Sequence, residues 1–506
     1  MKSQIKIGAI LGYINMFCSM VITLVYTPFL IKCLGQSEHG LYSLVASVIS
    51  YLSVLDMGFG NAMVRYVSKS IAKKEDHSEI NGVFLKFYYY IGIISFLIGL
   101  AILYNIPYIF RALTIEEMEK ARIIMLVLIT SVSLSFPLSV FDSYAVACEK
   151  FKMMKMLKLL KTVLIPLTML PLLLYGYKAI TMVIISATYN ILFHIIALVY
   201  CFKVLNMKIS FERKKLDKSF VFEMMSYSFY IFLNIIVDHV YNNTDQILLG
   251  AFSGTAAVSI YAVANKITTM NTQFSTNISG VFFPRINKLL EEEDGDKKVS
   301  DIFIKVSRIQ LYLLTLLLSG FIVFGKGFIK LWVGNDYIDA YYIILLLISP
   351  AIIPLTQNIG ISIIQAKNKH KFRSIIYILI AVLNILVSIP LTIQYAGIGA
   401  AIGTLIANLL GPILCMNIYY WKKANINIPR YWFRFLTFTV PIIIVSILLE
   451  RIIGNYNYTW ISLIIYAAVF AGFYAIYSLL QTNIEEKEML KSIINKIFRR
   501  RIKKSV

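Results

Sequence analysis

The sequence predicts an all-α integral membrane protein with about 14 transmembrane helices, arranged as two six-helix lobes and a final helix pair. Hydrophobic residues make up 58% of the 506 positions and charged residues only 15%, which is unlike a soluble domain. The apolar residues form separate runs of the roughly 20 residues that cross a bilayer. The pattern of the first part of the chain also returns in its second half.

Fourteen apolar runs satisfy the length criterion for a span. They cover residues 8–32, 40–64, 83–106, 121–147, 157–175, 179–202, 220–250, 256–282, 304–325, 338–364, 374–394, 398–421, 435–452 and 460–481. The first run follows MKSQIKIGAILGY without a small-residue cleavage site, so it is expected to be a retained helix and not a removed signal.

The formal net charge of +22 comes from bases that cluster in alternate loops between the apolar runs. Because Lys and Arg near span ends stay cytoplasmic, these loops and both termini are predicted to lie on the cytoplasmic side. The same clustering reports membrane orientation and argues against nucleic acid as a partner.

The internal repeat indicates how the spans are organised. Sliding the chain along itself until Gly35 falls on Gly254 also places Tyr42 on Tyr261. Because six spans separate the copies, both lobes begin on the same side and form parallel repeats. The expected divisions are lobes at 1–219 and 220–430, a helix pair at 431–482 and a basic amphipathic cytoplasmic tail at 483–506.

The seventh span carries a polar face. Its members fall at helical spacings: Tyr227, Asn234, Asp238, Asn242 and Asp245. Two carboxylates on a buried face need water, a base or a cation. Asp238 and Asp245 are therefore candidates for ion coupling, and Asn234 and Asn242 for substrate contact. In the alternative interpretation, Asp245 only caps the outer end of the span and Asp238 pairs with a neighbour.

The eighth span places Lys266, Gln273 and Asn277 on one face, and all three are candidates for substrate binding. An ammonium near the outer end of a span is attracted to an anionic ligand or to the acids of the seventh span. Both roles remain open for Lys266. In the first lobe Ser47 occupies the place of Lys266, so the two repeats differ chemically.

The second span ends with Asp56, the glycines at 58 and 60, and Arg65. Charges there are costly unless they face protein or water, so Asp56 is a further ion-coupling candidate. Arg65 suits phosphate because its planar fork donates two hydrogen bonds, although it could equally anchor the cytoplasmic end of the helix. Ser47 and Arg65 share a face only if the helix is continuous.

Other features predict neither a metal nor a cofactor. The five cysteines are far apart and the histidines do not cluster. His194 stands alone in an apolar helix and is expected to be a packing residue, while Asp142 is expected to pair with Lys150 or Lys152. Two basic amphipathic segments, residues 151–161 and the tail from Ile484, are expected to bind anionic lipid at the inner leaflet.

The stretches CLGQSEHGLYSLVASVISYLSVLDMGFGNAMVRY and NNTDQILLGAFSG, with the 14 spans, resemble bacterial polysaccharide transport proteins. These are flippases of undecaprenyl-pyrophosphate-linked oligosaccharides in the superfamily of the multidrug and toxic compound extrusion (MATE) transporters. The resemblance implies a MATE-like fold with two lobes around a cationic cavity. It also implies transport of a lipid-linked glycan, such as a capsule or O-antigen repeat unit, from the cytoplasmic to the outer face of the plasma membrane. Alternating access, coupling to a cation gradient through Asp238 and Asp245, and contact with glycan polymerase machinery are further expectations.

Two other functions remain open. A multidrug or metabolite antiporter of the same superfamily would share the architecture, but Lys266 and the basic loops argue against a cavity for cationic drugs. A membrane glycosyltransferase or glycan polymerase would need a large outer loop with catalytic acids, and the outer loops here are short. The protein is therefore predicted to be a transporter and not an enzyme.

Overall fold

The computed structural model of the protein describes residues 2–211, 218–280, 282–367, 369, 371–454, 456 and 458–482. For residues 2–10, 218–221, 227, 230, 233, 234, 242 and 284 it describes the backbone alone. Every regular element within these ranges is helical. A helix satisfies its backbone hydrogen bonds internally, which is what a chain needs in hydrocarbon. The all-α prediction is confirmed.

Within the described residues, the first half of the chain forms eight α-helices. They are α1 (Lys2–Leu34), α2 (Gln36–Ser53), α3 (Phe59–Lys73), α4 (Ser78–Tyr104), the short α5 (Ile106–Ile109), α6 (Ile115–Ala147), α7 (Phe151–Leu174) and α8 (Ala179–Lys203).

The second half begins with α9 (Lys218–Phe252) and α10 (Thr255–Gly280). The remaining helices are α11 (Phe283–Leu290), α12 (Gly295–Trp332), α13 (Asp339–Thr356), α14 (Ile359–Ala366), α15 (Lys371–Asn408), α16 (Met416–Lys422), α17 (Ile428–Ile453) and α18 (Trp460–Gln481). A π-helical segment, Leu409–Cys415, joins α15 to α16.

Eleven helical stretches of the described residues are long and apolar enough to cross a membrane. One of them, Lys371–Lys422, contains Ala396 at φ 47° and covers both predicted spans at 374–394 and 398–421. α9 and α10 coincide with two further predicted spans but are outside the eleven. The membrane class is therefore confirmed, and the count of 14 stays a prediction.

The chain folds into two compact units. The first comprises Met1–Lys266 with Tyr377–Thr404, and the second comprises Ile267–Ile376 with Leu405–Val506. α10 and α15 thus contribute residues to both units. The division into lobes at 1–219 and 220–430, a helix pair and a tail stays a prediction, and the tail itself lies outside the described residues.

The predicted second span is interrupted near its end. A 3₁₀ turn at Val54–Asp56 is followed by Met57 at φ 49° and Gly58 at φ 75°, both in the left-handed region. Two such residues in succession end a helix. Ser47 on α2 and Arg65 on α3 therefore lie on separate helices, and the common face expected for a continuous helix does not form.

The two copies of the repeat meet inside the first unit, at the N-termini of α2 and α10. A Cβ atom on Gly40 would lie 1.9 Å from the carbonyl oxygen of Thr255 and 3.2 Å from the amide nitrogen of Ser259. In the repeat alignment that places Gly35 on Gly254, Ser259 is the counterpart of Gly40. The absence of a side chain at Gly40 thus lets the matching segments approach each other at backbone distance.

Replacing Gly40 by alanine is expected to destabilise the protein by about 1–3 kcal/mol, because the added methyl group meets backbone that cannot rotate away. The measurement is the thermal unfolding midpoint of the purified protein in detergent. Gly12→Ala in α1 is the matched control, since a Cβ there has no atom within 4 Å. Equal midpoints for the two variants would contradict the close contact.

Candidate functional site

A polar seam lies where α10 meets α1 and α2 within the first unit. The Nζ atom of Lys266 is 3.3 Å from Thr27 Oγ1 and 3.4 Å from His39 Nε2. His39 is 1% exposed, and its Nδ1 atom is 2.7 Å from Ser259 Oγ. These four side chains, called here the Lys266 seam, form one connected set contributed by three helices.

Lys266 and Ser47 occupy matched positions in the two copies of the repeat. Ser47 Oγ donates to Gln246 Oε1 at 2.6 Å, and in the repeat alignment Ser47 corresponds to Lys266 and Gln246 to Thr27. The contact between Ser47 and Gln246 is therefore the counterpart of the one between Lys266 and Thr27. One copy carries a hydroxyl and the other an ammonium, so the chemical difference predicted between the repeats lies at matched positions.

Lys266 was predicted either to contact an anionic ligand or to pair with an acid of α9. Its described partners are the Thr27 hydroxyl and the His39 imidazole, and neither is an acid of α9. An ammonium has three donors and no acceptor. Within an apolar span, such a group is stabilised by an anion or by water. Among the described contacts Lys266 pairs with no acid of α9, and its contact with an anionic ligand stays a prediction.

Asp245 lies in a second polar group of the first unit. It is 3% exposed, and its Oδ2 atom accepts hydrogen bonds from Tyr261 and, at 2.8 Å, from Thr404 Oγ1. Its Oδ1 atom has no hydrogen-bond partner among the described residues. A buried carboxylate with an unused oxygen is a site where a cation or a proton would be stabilised. The described partners of Asp245 are side chains of α10 and α15, and ion coupling and capping of the span both stay predictions.

Two residues of α15 extend the group around Asp245. Asn384 Nδ2 lies 3.3 Å from Thr404 Oγ1, and Ser388 Oγ donates to Asn384 Oδ1 at 2.7 Å. Asn384 thus turns its amide nitrogen towards Thr404, while its oxygen accepts from Ser388, so the described chain of hydrogen bonds leads from Ser388 through Asn384 and Thr404 to Asp245. Sequence analysis missed Asn384, Ser388 and Thr404. The available signal was their position as polar residues inside an otherwise apolar stretch.

The other two acids predicted to couple ions have different surroundings. Asp238 is exposed and has its own interaction partner, so its setting differs from that of the buried Asp245. Asp56 Oδ1 accepts from the Tyr88 hydroxyl at 2.6 Å, and the backbone amides of Gly58 and Gly60 also donate to Asp56. These bonds satisfy the carboxylate and brace the turn before α3, and a coupling role for Asp56 stays a prediction.

The predicted substrate residues other than Lys266 lie on α3, α9 and α10. Arg65 is exposed on α3, with its guanidinium 5.8 Å from the centre of the Tyr66 ring. Gln273 and Asn277 belong to the second unit, where Asn277 Nδ2 donates to the Gln273 carbonyl at 2.7 Å. The side chains of Asn234 and Asn242 lie outside the described residues.

A buried polar cluster in the second unit holds α10 in place near Gln273 and Asn277. Gln310 Nε2 donates to Ser279 Oγ at 2.7 Å and to the Ser275 carbonyl at 3.0 Å. Sequence analysis missed this cluster, because glutamine and serine on an apolar helix show no distinctive spacing.

In α6 and α8 the structure pairs two residues that sequence analysis had treated separately. His194 Nδ1 is 2.7 Å from Asp142 Oδ2. The partner of Asp142 is therefore His194 and not Lys150 or Lys152, because α6 and α8 pack side by side. His194 is a satisfied residue of the helix interface, as predicted.

The chain is similar to proteins that are named as glycan transporters. A Haloferax volcanii protein named as a glycan biosynthesis flippase, Agl15, is 22% identical over 207 residues, which are 41% of this chain and 44% of that protein. An Escherichia coli K12 protein named as an O-antigen transporter is 25% identical over 390 residues, 75% of this chain and 88% of that protein. The chain thus matches less than half of the first relative and most of the second.

The fold has a close counterpart among solved structures. The lipid II flippase MurJ in an inward closed conformation superposes with a TM-score of 0.72 at 15% identity, covering 95% of this chain and 100% of that one. This likeness confirms the predicted fold class. The family model described as polysaccharide biosynthesis protein matches residues 8–290, more than half of the 506 residues. The chain therefore belongs to the polysaccharide biosynthesis protein family.

Proposed function

We propose that the protein is a flippase for an undecaprenyl-pyrophosphate-linked oligosaccharide repeat unit, which it moves from the inner to the outer leaflet of a bacterial plasma membrane. Family membership and the relatives named for O-antigen transport and glycan flipping support a lipid-linked glycan as cargo. The fold shared with the lipid II flippase supports a route for a polar headgroup through the bilayer.

The Lys266 seam is the observation that carries this proposal. A pyrophosphate and a chain of sugars cannot enter hydrocarbon unaided, because each unpaired polar group costs several kcal/mol. Lys266 lacks an acidic neighbour among its described partners, and the seam also offers the Thr27 and Ser259 hydroxyls and the His39 imidazole. These groups can replace the water around a phosphate while the prenyl chain remains in lipid.

The other predicted substrate residues have supporting roles in this proposal. Arg65 would bind phosphate near the cytoplasmic end of the path, because a guanidinium donates two parallel hydrogen bonds to it. Gln273, Asn277, Asn234 and Asn242 would contact the sugar hydroxyls. Alternating access would arise from movement of the two repeats against each other.

Movement of the glycan would be coupled to a cation gradient at Asp245. The support is the buried carboxylate with its unused Oδ1 atom. Thr404 donates to its other oxygen, and Asn384 and Ser388 are linked to Thr404 in series. Binding a cation or proton neutralises the carboxylate and changes which packing of the surrounding helices is stable. A ligand with different affinities for the two conformations shifts the population between them.

The orientation follows from the bases in alternate loops, which would place both termini in the cytoplasm. The basic segment at 151–161 would then lie against anionic lipid of the inner leaflet. Delivery at the outer leaflet would bring the glycan to polymerase machinery, with which the protein would make contact.

Deletion of the gene tests the proposed function. A lipid-linked oligosaccharide is expected to accumulate on the inner leaflet, because its synthesis continues while its export stops. The measurement is extraction and mass analysis of lipid-linked glycans, combined with their accessibility to a membrane-impermeant reagent in oriented vesicles. Unchanged amounts and unchanged accessibility would contradict a flippase function, and complementation by the intact gene is the control.

A further inference from the structure

A groove of about 600 Å³ opens on the first unit where α4, α6 and the chain after α8 meet. Val83 and Tyr90 of α4, Pro137 of α6 and Phe211 supply its apolar walls. Lys86 is the one charged side chain among the described residues that line it. The volume falls in the range of about 300–1,000 Å³ that is usual for small-molecule sites.

The wall after α8 is fixed in place by backbone contacts with α4. The amide of Ser210 donates to the Ser78 carbonyl at 3.0 Å, and Asn81 Nδ2 donates to the Lys208 carbonyl at 2.9 Å. A Cβ atom on Gly82 would lie 1.9 Å from the Ser210 carbonyl oxygen, so a glycine is needed for this approach. The groove is therefore built by specific packing and is not a gap between loose segments.

The groove lies on the face of α4 that carries exposed apolar side chains. Tyr89 is 60% exposed and Tyr90 51%, and the exposed stripe continues one turn further on through Ile93 and Ile94. In a membrane protein such a stripe faces lipid, and tyrosines are enriched where hydrocarbon meets headgroups. Lys86 lies on the same stripe and its side chain is exposed.

A lysine at this position requires a counter-charge or water. Lys86 lies just over two helical turns after Ser78, which is about 12 Å along the helix axis. An ammonium at that depth is costly in hydrocarbon, and its flexible stem lets it reach towards the headgroup region. Lys208, also exposed, adds a second positive charge at the same end of α4, whereas Asp76 is held by the Ser78 amide and hydroxyl.

We propose that this groove binds an anionic glycerophospholipid, with one acyl chain against Val83, Tyr90 and Phe211 and the headgroup phosphate on Lys86. The apolar walls match an acyl chain, and the exposed lysine matches a phosphate. The site uses α4, α6 and the chain after α8, whereas the Lys266 seam uses α1, α2 and α10. The occupant is therefore a resident membrane lipid and not the transported glycan lipid.

The experiment measures lipid retention by the purified full-length protein with native mass spectrometry. Phosphatidylglycerol and phosphatidylcholine with identical acyl chains are added separately. Lys86→Gln is expected to weaken retention of phosphatidylglycerol about fivefold, the effect of one surface lysine on an anionic lipid, and to leave phosphatidylcholine unchanged. Val83→Trp fills the groove and is expected to weaken retention of both lipids.

Lys69→Gln, an exposed lysine on α3 outside the groove, is the matched control and is expected to behave like the unmodified protein. All variants are first compared by size-exclusion profile and thermal unfolding. Equal phosphatidylglycerol retention by the Lys86→Gln and Lys69→Gln variants would overturn the proposal. Displacement of the phospholipid by undecaprenyl phosphate at lower concentration than by phosphatidylglycerol would also overturn it, because the groove would then hold the substrate's own lipid.

Discussion

Replacing Lys266 by glutamine is expected to reduce outward delivery of the lipid-linked glycan about tenfold or more. A hydrogen bond from a charged donor to a charged acceptor contributes about 1.5–3 kcal/mol, and removal of the ammonium leaves the phosphate with neutral partners. The measurement is the fraction of lipid-linked glycan that becomes accessible to a membrane-impermeant reagent in vesicles containing the purified protein.

Two variants distinguish the charge of Lys266 from its packing. Lys266→Arg keeps the positive charge and is expected to retain more delivery than Lys266→Gln. Lys69→Gln removes a charge from an exposed face of α3 and is expected to have no effect. If Lys266→Gln delivered glycan at the rate of the unmodified protein, at equal abundance in the vesicles, Lys266 would have no part in substrate binding.

The same assay tests Arg65, whose predicted role is separate. Arg65→Gln is expected to lower delivery less than Lys266→Gln, because Arg65 is exposed and water can take over part of its role. An unchanged rate would assign Arg65 to anchoring of the helix end.

Replacing Asp245 by asparagine is expected to abolish the response of transport to the coupling cation gradient. The substitution keeps the size of the side chain and removes the charge that would hold the cation. In the unmodified protein a buried carboxylate with a free oxygen binds a cation strongly, because few other groups compensate its charge. The measurement compares delivery in vesicles with imposed proton or sodium gradients of either direction.

A binding measurement independent of transport supports this test. The coupling cation is expected to raise the thermal unfolding midpoint of the unmodified protein, since a ligand that binds only the folded state stabilises it. The midpoint of Asp245→Asn is expected to be insensitive to the same cation. Asp336→Asn, at an exposed position of the second unit, is the matched control and is expected to keep the response. Indifference of the unmodified protein to every gradient and cation would remove ion coupling from the proposed mechanism.

The positions of Lys266 and Asp245 were predictable because a charge within an apolar stretch is conspicuous in any membrane sequence. The hydrogen-bond partners of these two residues were not predictable from the sequence. Thr27 and His39 lie in the first two helices, far before Lys266 in the chain, and Thr404 lies far after Asp245. Threonine and histidine are ordinary residues on a helix, so only the packing of α1, α2 and α15 identifies them as neighbours.

Helical spacing also placed Asp238 and Asp245 on one face of α9. Their exposure to solvent nevertheless differs. Asp245 is buried and Asp238 is exposed, because burial depends on which other helices cover each turn. The glycines at 58 and 60 allowed a bend in the predicted second span, but only the structure shows that α2 and α3 are separate helices, with Met57 and Gly58 in the left-handed region.

By itself the sequence determined that the protein is helical and lies in a membrane, because hydropathy is a property of the chain; its two-lobe organisation stays a prediction. The tertiary structure alone decided that Gly40 meets Thr255, that Lys266 has no acidic neighbour among its described partners, and that Asp245 is covered by α15. The physical reason is that the environment of a polar group in a bilayer is set by the side chains across the helix interface, which come from distant parts of the chain.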